Sequence, residues 1–257
     1  MTGSITAGTK VMEAAAQNIT KVNLELGGKA PAIVSQHADI DLTVNALVTS
    51  RLANNGQACT NAERVYVHSS VADELIEKLA AAFKEKKLGN PREDKEVEVG
   101  PLINEDRLNT VAGMVDEAVA DGAKVVTGGK KAETDKGFFY EPTILTNVTH
   151  DSKIMRDEIF GPVLPIATFE TSDEAIEMAN DTIYGLSSSL YSNDMNETMK
   201  VINEMKFGET YVNRENFEAV QGYHAGMRQS GLGGTDGKHG VEDFLVTQVV
   251  YMQYKNE

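Results

Sequence analysis

Two periodicities alternate along this chain, one typical of strands and the other typical of helices. Residues 22–26 alternate apolar and polar side chains and are followed by two glycines, which predicts a strand that ends in a tight turn. In residues 104–123, by contrast, Leu108, Val111 and Val115 recur at helical spacing and predict an amphipathic helix. Because strand-like and helix-like segments succeed one another over most of the chain, we predict an α/β fold with a largely parallel sheet flanked by helices.

The end of the chain breaks this alternation. Residues 221–240 are rich in glycine and predict a long loop. The apolar run "FLVTQVVYMQY", residues 244–254, then predicts a closing strand. A strand of this composition at the edge of a sheet would adhere to other strands.

Composition narrows the class of protein. The chain has 257 residues, enough for one large domain or two ordinary ones, and its formal charge is −15. This acidic balance argues against binding nucleic acid through a basic face. No apolar run approaches the ~20 residues of a membrane span, and no signal peptide is recognisable. We therefore expect a cytoplasmic protein that acts on small molecules and has no nucleic-acid or membrane partner.

The single cysteine, Cys59, excludes an intramolecular disulfide and suits a reducing compartment. The five histidines are scattered without metal-ligand spacing, so no metal is expected. Cys59 lies in "NNGQAC", between the polar, glycine-containing residues 54–57 and the strand-like run 64–67. A lone cysteine is ordinarily a small buried hydrophobe. A reactive role for this one requires a partner elsewhere in the chain.

Glu25, in "LELGGK", is the candidate partner of Cys59. We predict that it is the solvent-side residue of its strand and that the two following glycines let other groups approach closely. In α/β sheets the functional crevice lies outside the carboxyl ends of the strands, where we expect both residues to meet. The alternative is that Glu25 is an edge carboxylate and Cys59 an inert core thiol.

Two shorter motifs also have a functional and an ordinary interpretation. In "TGSITAG", Gly3 and Ser4 precede a predicted helix, whose free N–H groups would bind a phosphate; ordinary helix capping explains them equally well. In "RDEIFGPVLPI", Glu158 and Phe160 precede a strand and would lie at the mouth of a pocket. The alternative there is a turn with a solvated acid.

These four motifs together resemble the aldehyde dehydrogenase superfamily. "TGS", "LELGGK", "NNGQAC" and "DEIFGPV" occur in the family's order, with Cys59 34 residues after Glu25. The resemblance covers essentially the whole chain. The run that begins at "GETYVN" and continues through residues 221–240 is most similar to the branch that acts on lactaldehyde and glycolaldehyde.

The resemblance implies a mechanism and a set of site residues. The Cys59 thiolate would attack the aldehyde to give a thiohemiacetal, a hydride would pass to NAD, and Glu25 would act as general base on the water that hydrolyses the resulting thioester. His224 would hydrogen-bond a substrate hydroxyl; alternatively, it is a loop histidine held by neighbouring backbone. The residues expected to bind the cofactor are Gly3, Ser4, Leu26, Gly27, Glu158 and Phe160. Those expected to contact the aldehyde are Thr60, Asn216, Phe217, Tyr223 and His224.

The resemblance also implies that this is the C-terminal, catalytic portion of such an enzyme, because family members are roughly twice this length. Residues 1–27 would be a remnant of the dinucleotide-binding domain, residues 28–229 the catalytic domain, and residues 230–257 a tail whose strand joins an oligomerisation sheet. The oxyanion-hole asparagine and most of the cofactor site are missing. We therefore expect a homo-oligomer, with the isolated chain nearly inactive or completed by a separate N-terminal half.

Two other functions remain open at this point. A truncated module that folds and assembles without catalysing anything shares every motif above. A thiol peroxidase or redox sensor shares the reactive cysteine, but a sensor of that kind would lack a resolving cysteine here.

Overall fold

The computed structural model of the chain describes residues 1–134 and 136–255. Its centre is a seven-stranded sheet with the order β4-β5-β6-β3-β2-β7-β8. All neighbouring strands in it are parallel except β4 and β5. This confirms the predicted α/β class with a largely parallel sheet. The strands are β2 (Ala30–Val34), β3 (Ala62–His68), β4 (Lys124–Thr127), β5 (Thr143–Thr146), β6 (Val163–Phe169), β7 (Ser187–Tyr191) and β8 (Glu209–Val212).

Helices cover both faces of this sheet because its strands carry apolar side chains on both faces. Ala32 and Val65 face α2 and α3, whereas Ile33 and Tyr66 face α4, α6 and α7. The predicted stripe of Leu108, Val111 and Val115 is buried. The helices are α1 (Ile5–Ala16), α2 (Ile40–Leu52), α3 (Ser69–Glu85), α4 (Glu105–Ala120), α5 (Lys153–Arg156), α6 (Ser172–Asn180), α7 (Met195–Glu204) and α8 (Gly237–Asp243). Within the described residues, no helix is both long enough and apolar enough to cross a membrane.

A second, small sheet joins the two ends of the chain. Strand β1 (Leu24–Glu25) pairs antiparallel with β9 (Gly231–Leu232). The first and the third of the predicted domains therefore contact each other directly, and the boundaries themselves stay a prediction. The strand expected over 22–26 shortens to two residues, the length of its two-residue partner β9.

The tail differs from the sequence-based expectation in two ways. The predicted loop 221–240 contains the start of α8 and the strand β9. Residues 246–255 form no strand, and side chains such as Val246 and Tyr251 are more than 90% exposed. An extended segment needs a neighbouring strand to pair its backbone N–H and C=O groups. In the single chain, this apolar segment is left unpaired.

Candidate active site

Most of the residues nominated from the sequence meet at one cavity of about 500 Å³. It opens beside the amino ends of β2, β3 and β6, because Glu25, Cys59 and Glu158 each lie in the segment that leads into one of these strands. The expectation that they lie outside the carboxyl ends was wrong: here the entering loops carry the polar residues. The nominated residues that line the cavity are Gly3, Ser4, Glu25, Leu26, Gly27, Cys59, Thr60, Glu158, Phe160 and Phe217.

Glu25 is buried, contrary to the expectation that it faces solvent; it is 6% exposed. The backbone of Glu25 is held on both sides. On one side its carbonyl accepts from Gly3 N–H and its own N–H donates to the Met1 carbonyl, both at 2.9 Å. On the other side it pairs with Gly231 of β9. Among the described residues, neither carboxylate oxygen has a hydrogen-bond partner. Burial raises the pKa of this carboxyl, although nearby His224 opposes the shift. A carboxylate in this state is suited to accept a proton.

Cys59 ends a segment with an unusual backbone, residues 54–59, which we call the Cys59 loop. Asn54, Asn55 and Gly56 have φ angles of 47°, 57° and 75°, all in the left-handed region. Asparagine and glycine are the residues that tolerate this region best. The thiol is partly exposed and lines the cavity, so it does not belong to the core.

The two glycines of "LELGGK" serve two different close contacts. A Cβ on Gly27 would lie 2.5 Å from a carboxylate oxygen of Glu158. A Cβ on Gly28 would lie 2.7 Å from the carbonyl oxygen of Cys59. Gly28 N–H also donates to Oε1 of Glu158 at 2.8 Å. This turn therefore brings the thiol and the second carboxylate against the same piece of backbone.

The imidazole of His224 lies between acidic groups and is 7% exposed. Its Nδ1 is 3.0 Å from Oε1 of Glu209, and its Nε2 is 3.4 Å from Oε2 of Glu25. The proximity of Cys59, followed by the hydrogen bond with Glu209, raises the pKa of His224 to about 11. The backbone of His224 also pairs with Thr235, as the alternative interpretation required. The ring is thus a buried cation at neutral pH, facing the thiol and Glu25.

Glu158 and Phe160 belong to a second segment, residues 158–161, which we call the Glu158 loop. Burial, reinforced by nearby Glu63, raises the pKa of Glu158 to about 7. Phe160 has a φ of 51°, a rare conformation for an aromatic residue. The guanidinium carbon of Arg107 lies 5.8 Å from the centre of the Phe160 ring. Both predicted side chains line the cavity, and Glu158 is not the solvated acid of an ordinary turn.

Other nominated residues lie elsewhere or have a second role. Asn216 is fully buried and accepts a hydrogen bond from Ser189 Oγ at 2.8 Å. Contrary to the expectation, it does not line the cavity. Tyr223 packs on the ring of His239, with ring centres 5.5 Å apart. Ser4 lines the cavity and also caps α1, since its Oγ accepts from the N–H of Ala7. Capping and phosphate binding are therefore compatible at this position.

His150, Asp151 and Asp181 form a surface cluster of potential metal ligands away from this cavity; their ligand atoms lie within 4.8 Å of one another. The guanidinium of Arg156 pairs with Asp181 and lies 2.9 Å from Nε2 of His150. Arg156 therefore supplies the positive charge that a metal ion would otherwise bring to these ligand atoms.

Comparison with known proteins decides the family. The profile of the "Aldehyde dehydrogenase family" matches residues 1–250. The chain belongs to the aldehyde dehydrogenase family. It is 54% identical over 253 residues to lactaldehyde dehydrogenase of Escherichia coli (strain K12), covering 98% of this chain and 53% of that protein. The crystal structure of lactaldehyde dehydrogenase from Escherichia coli superposes with a TM-score of 0.97, over 99% of this chain and 53% of that one.

A more distant relative in the family is betaine aldehyde dehydrogenase from Staphylococcus aureus, solved in complex with NAD⁺. It is 38% identical with a TM-score of 0.92, over 96% of this chain and 49% of that chain. The chain thus spans about half the length of the aldehyde dehydrogenases it matches. The resemblance inferred from the four motifs is confirmed.

Three charged residues near this candidate site were missed in the sequence. Glu63 lies in the buried strand β3, where a charge must be paired, so a signal for it was available. Arg107 lines the cavity from α4, and its helical position gave no indication of that. Glu209, the partner of His224, opens β8 without any local signal.

Proposed function

We propose that this chain carries the nucleophile and the general base of an aldehyde dehydrogenase that oxidises small aldehydes, hydroxyaldehydes included, to carboxylic acids with NAD. The observation that supports this most is that the Cys59 thiol and the buried carboxylate of Glu25 line one cavity. The similarity to a lactaldehyde dehydrogenase over 98% of the chain supports the substrate class.

Cys59 is the nucleophile. As thiolate, the sulfur attacks the aldehyde carbon to give a thiohemiacetal, and the imidazole of His224 lies beside it. The backbone N–H of Cys59 is one donor to the developing oxyanion, since it lies at the attacking residue itself. The carbonyl oxygen of Cys59 is held against Gly28, which fixes the orientation of this peptide.

Glu25 is the general base for the second half of the reaction. When bound, the nicotinamide of NAD accepts the hydride that leaves the thiohemiacetal carbon, and a thioester remains on Cys59. Glu25 then removes a proton from the water that attacks this thioester, releasing the acid and the free thiolate. Its raised pKa suits that role, and within the described residues neither of its oxygens makes a hydrogen bond, since Nε2 of His224 lies 3.4 Å away.

The cavity has features that fit a nicotinamide nucleotide. The space beside Gly27, which a Cβ would fill, holds the Glu158 carboxylate in a position to accept hydrogen bonds from ribose hydroxyls. Phe160 offers an aromatic surface to the nicotinamide ring. Leu26 lines the same side of the cavity, and Gly3 and Ser4 present the start of α1 to the pyrophosphate.

Thr60, Phe217 and His224 are the proposed contacts of the aldehyde. Thr60 follows the nucleophile directly, and Phe217 is 45% exposed at the edge of the cavity. His224 donates from Nε2 to a substrate hydroxyl in competition with Glu25, since that nitrogen is 3.4 Å from the Glu25 carboxylate. This arrangement favours short, polar aldehydes.

Assembly is the second part of the proposal. The exposed apolar residues of the tail, among them Val246 and Tyr251, suit pairing with another subunit in a homo-oligomer. Because the chain spans about half of its relatives, a separate N-terminal half would complete the cofactor site. Removing one oxyanion donor costs about 10²–10³ in rate in a comparable acyl-transfer enzyme, so we expect the chain alone to be nearly inactive.

The test is reconstitution. The chain is mixed with the N-terminal half of its lactaldehyde dehydrogenase relative, and NADH formation is measured with lactaldehyde and glycolaldehyde. Aldehyde-dependent NADH that is abolished by Cys59→Ser supports the proposal. A stable complex that binds NAD but gives no NADH would favour the non-catalytic module instead.

A further inference from the structure

A buried ion pair connects the two loops of the candidate site. Arg51, at the end of α2, and Glu63, in β3, are each no more than 1% exposed. Their side chains meet at 2.9 Å between Nη1 and Oε1. Neither residue lines the cavity, and neither was nominated from the sequence.

Arg51 holds the Cys59 loop. Its Nη2 donates to the carbonyl of Gly56 at 2.8 Å, and also donates to the carbonyl of Gly161 in the Glu158 loop. Its Nη1 donates to the carbonyl of Ala62 at 2.7 Å. One planar guanidinium therefore binds a carbonyl from each loop and a third from the strand that follows Cys59.

Glu63 holds the Glu158 loop from the other side of the pair. Its two oxygens accept from the backbone N–H groups of Ile159, at 2.9 Å, and Phe160, at 3.1 Å. The ammonium of Lys29, next to the Gly27–Gly28 turn, lies 3.0 Å from Oε2. Although burial opposes ionisation, Arg51 and Lys29 keep the pKa of Glu63 below its usual range.

These bonds are made beside residues with an uncommon backbone conformation. Phe160 has a φ of 51°, and Asn54 and Asn55, which precede Gly56, have φ angles of 47° and 57°. The loops also touch backbone to backbone, because a Cβ on Gly56 would lie 2.1 Å from the carbonyl oxygen of Gly161. Left-handed conformations persist only where the surroundings hold them. A displacement of one loop must therefore displace the other.

We propose that Arg51 and Glu63 are positioning residues that hold the Cys59 loop and the Glu158 loop in one fixed relation. The proposal deepens and rests on the proposed function, in which one loop carries the nucleophile and the other binds the ribose. Through this pair, the sulfur keeps its place relative to the Glu158 carboxylate.

The test uses the reactivity of Cys59, the single thiol of the chain, toward iodoacetamide. At about pH 9.5, where a thiol is mostly ionised, the alkylation rate reports access to the sulfur. Arg51→Lys keeps the charge but cannot bind the carbonyls of both loops at once. We expect the Cys59 loop to relax and the rate to rise about tenfold.

Arg64→Lys is the matched control. Arg64 is equally buried and also binds three oxygens, those of Lys29, Tyr66 and Ala179, but it touches neither loop. Each variant is first checked for folding by circular dichroism and thermal unfolding. Arg64→Lys is expected to lower the unfolding temperature and to leave the alkylation rate within about twofold of the parent chain.

Glu63→Gln is the second variant, and we expect it to raise the alkylation rate as Arg51→Lys does. If Arg51→Lys does not fold, Glu63→Gln is compared with Arg64→Lys in its place. Equal rates in the parent and these folded variants, or an equal rise in Arg64→Lys, would overturn the proposal. The assay needs neither NAD nor aldehyde. A failure here is thus distinct from a failure of the reconstituted oxidation.

Discussion

The Nε2 atom of His224 lies 3.4 Å from Oε2 of Glu25, and both groups are buried. A cation from the C-terminal segment is thereby brought against the proposed general base, with Cys59 as the third member of the group. Glu209 completes it through Nδ1 of the same ring. The charge of His224 is therefore expected to influence both the thiol and the carboxylate.

His224→Gln is expected to slow alkylation of Cys59 by iodoacetamide about tenfold near pH 7, because the positively charged neighbour of the sulfur is lost. The pKa of His224, raised to about 11, keeps the ring charged at this pH. Glu209→Gln should slow the reaction by a smaller factor, since it removes one of the acidic partners. The control is His239→Gln, an exposed histidine that pairs with Glu242. Identical rates in all four proteins would show that the imidazole does not act on the thiol.

Glu158→Gln is expected to stabilise the chain at alkaline pH. The folded pKa of Glu158 is raised from 4.5 to about 7, so its neutral form favours the fold. This contribution is present below about pH 4.5 and is lost as the pH rises through about 7. At about pH 8 the glutamine, which cannot ionise, should add on the order of 2 kcal/mol and raise the unfolding temperature by roughly 5 °C.

At about pH 4.5 the same substitution should change the unfolding temperature little, because Glu158 is then protonated in the folded state and about half protonated in the unfolded state. The comparison is made by thermal unfolding at both pH values. Asp157→Asn, at the neighbouring exposed position, is the control and should show no such dependence on pH. If the difference in unfolding temperature between Glu158→Gln and the parent were the same at both pH values, the raised pKa of the Glu158 carboxyl would be contradicted.

Gly27→Ala and Gly28→Ala are expected to affect different steps. The added Cβ at Gly27 meets the Glu158 carboxylate at 2.5 Å and should raise the KM for NAD in the reconstituted enzyme. At Gly28 it meets the Cys59 carbonyl at 2.7 Å, so kcat should fall, by about tenfold or more, because this contact orients the nucleophile.

Gly113→Ala provides the control for the glycine variants. This residue lies within α4, where a new Cβ would meet no atom of the described chain within 4 Å. The substitution should leave KM and kcat unchanged and raise the stability by roughly 0.5–1 kcal/mol, as alanine favours a helix interior over glycine. If Gly27→Ala and Gly28→Ala gave the same pattern of KM and kcat, the assignment of the two contacts would be wrong.

Local patterns predicted the core elements well because their apolar periodicity agrees with their packing. The stripe Leu108, Val111 and Val115 is one such case. The tail was predicted as a strand that pairs with another subunit, and in the single chain it forms none because a strand needs a partner; that pairing stays a prediction. Glu25 was wrongly predicted to face solvent. The alternation of apolar and polar residues suggests a strand with one solvent-facing side, whereas both residues of the two-residue strand β1 are buried.

Many residues of the site could be nominated from motifs, but the contacts between distant residues could not. Cys59, Glu25, Glu158 and Phe160 stand in short, recognisable stretches of sequence. Glu209 is 184 residues beyond Glu25 and meets the site only through His224. Such long-range pairs depend on the fold of the whole chain, so local spacing does not reveal them.

The central claim is that Cys59 forms the covalent intermediate and Glu25 activates the water that releases it. The most direct measurement is mass spectrometry of the Glu25→Gln chain, reconstituted with the N-terminal half, after addition of NAD and lactaldehyde. We expect one burst of NADH, turnover reduced about 10²–10⁴-fold, and an acyl adduct on Cys59. Full turnover by Glu25→Gln, or an acyl adduct on any residue other than Cys59, would contradict it.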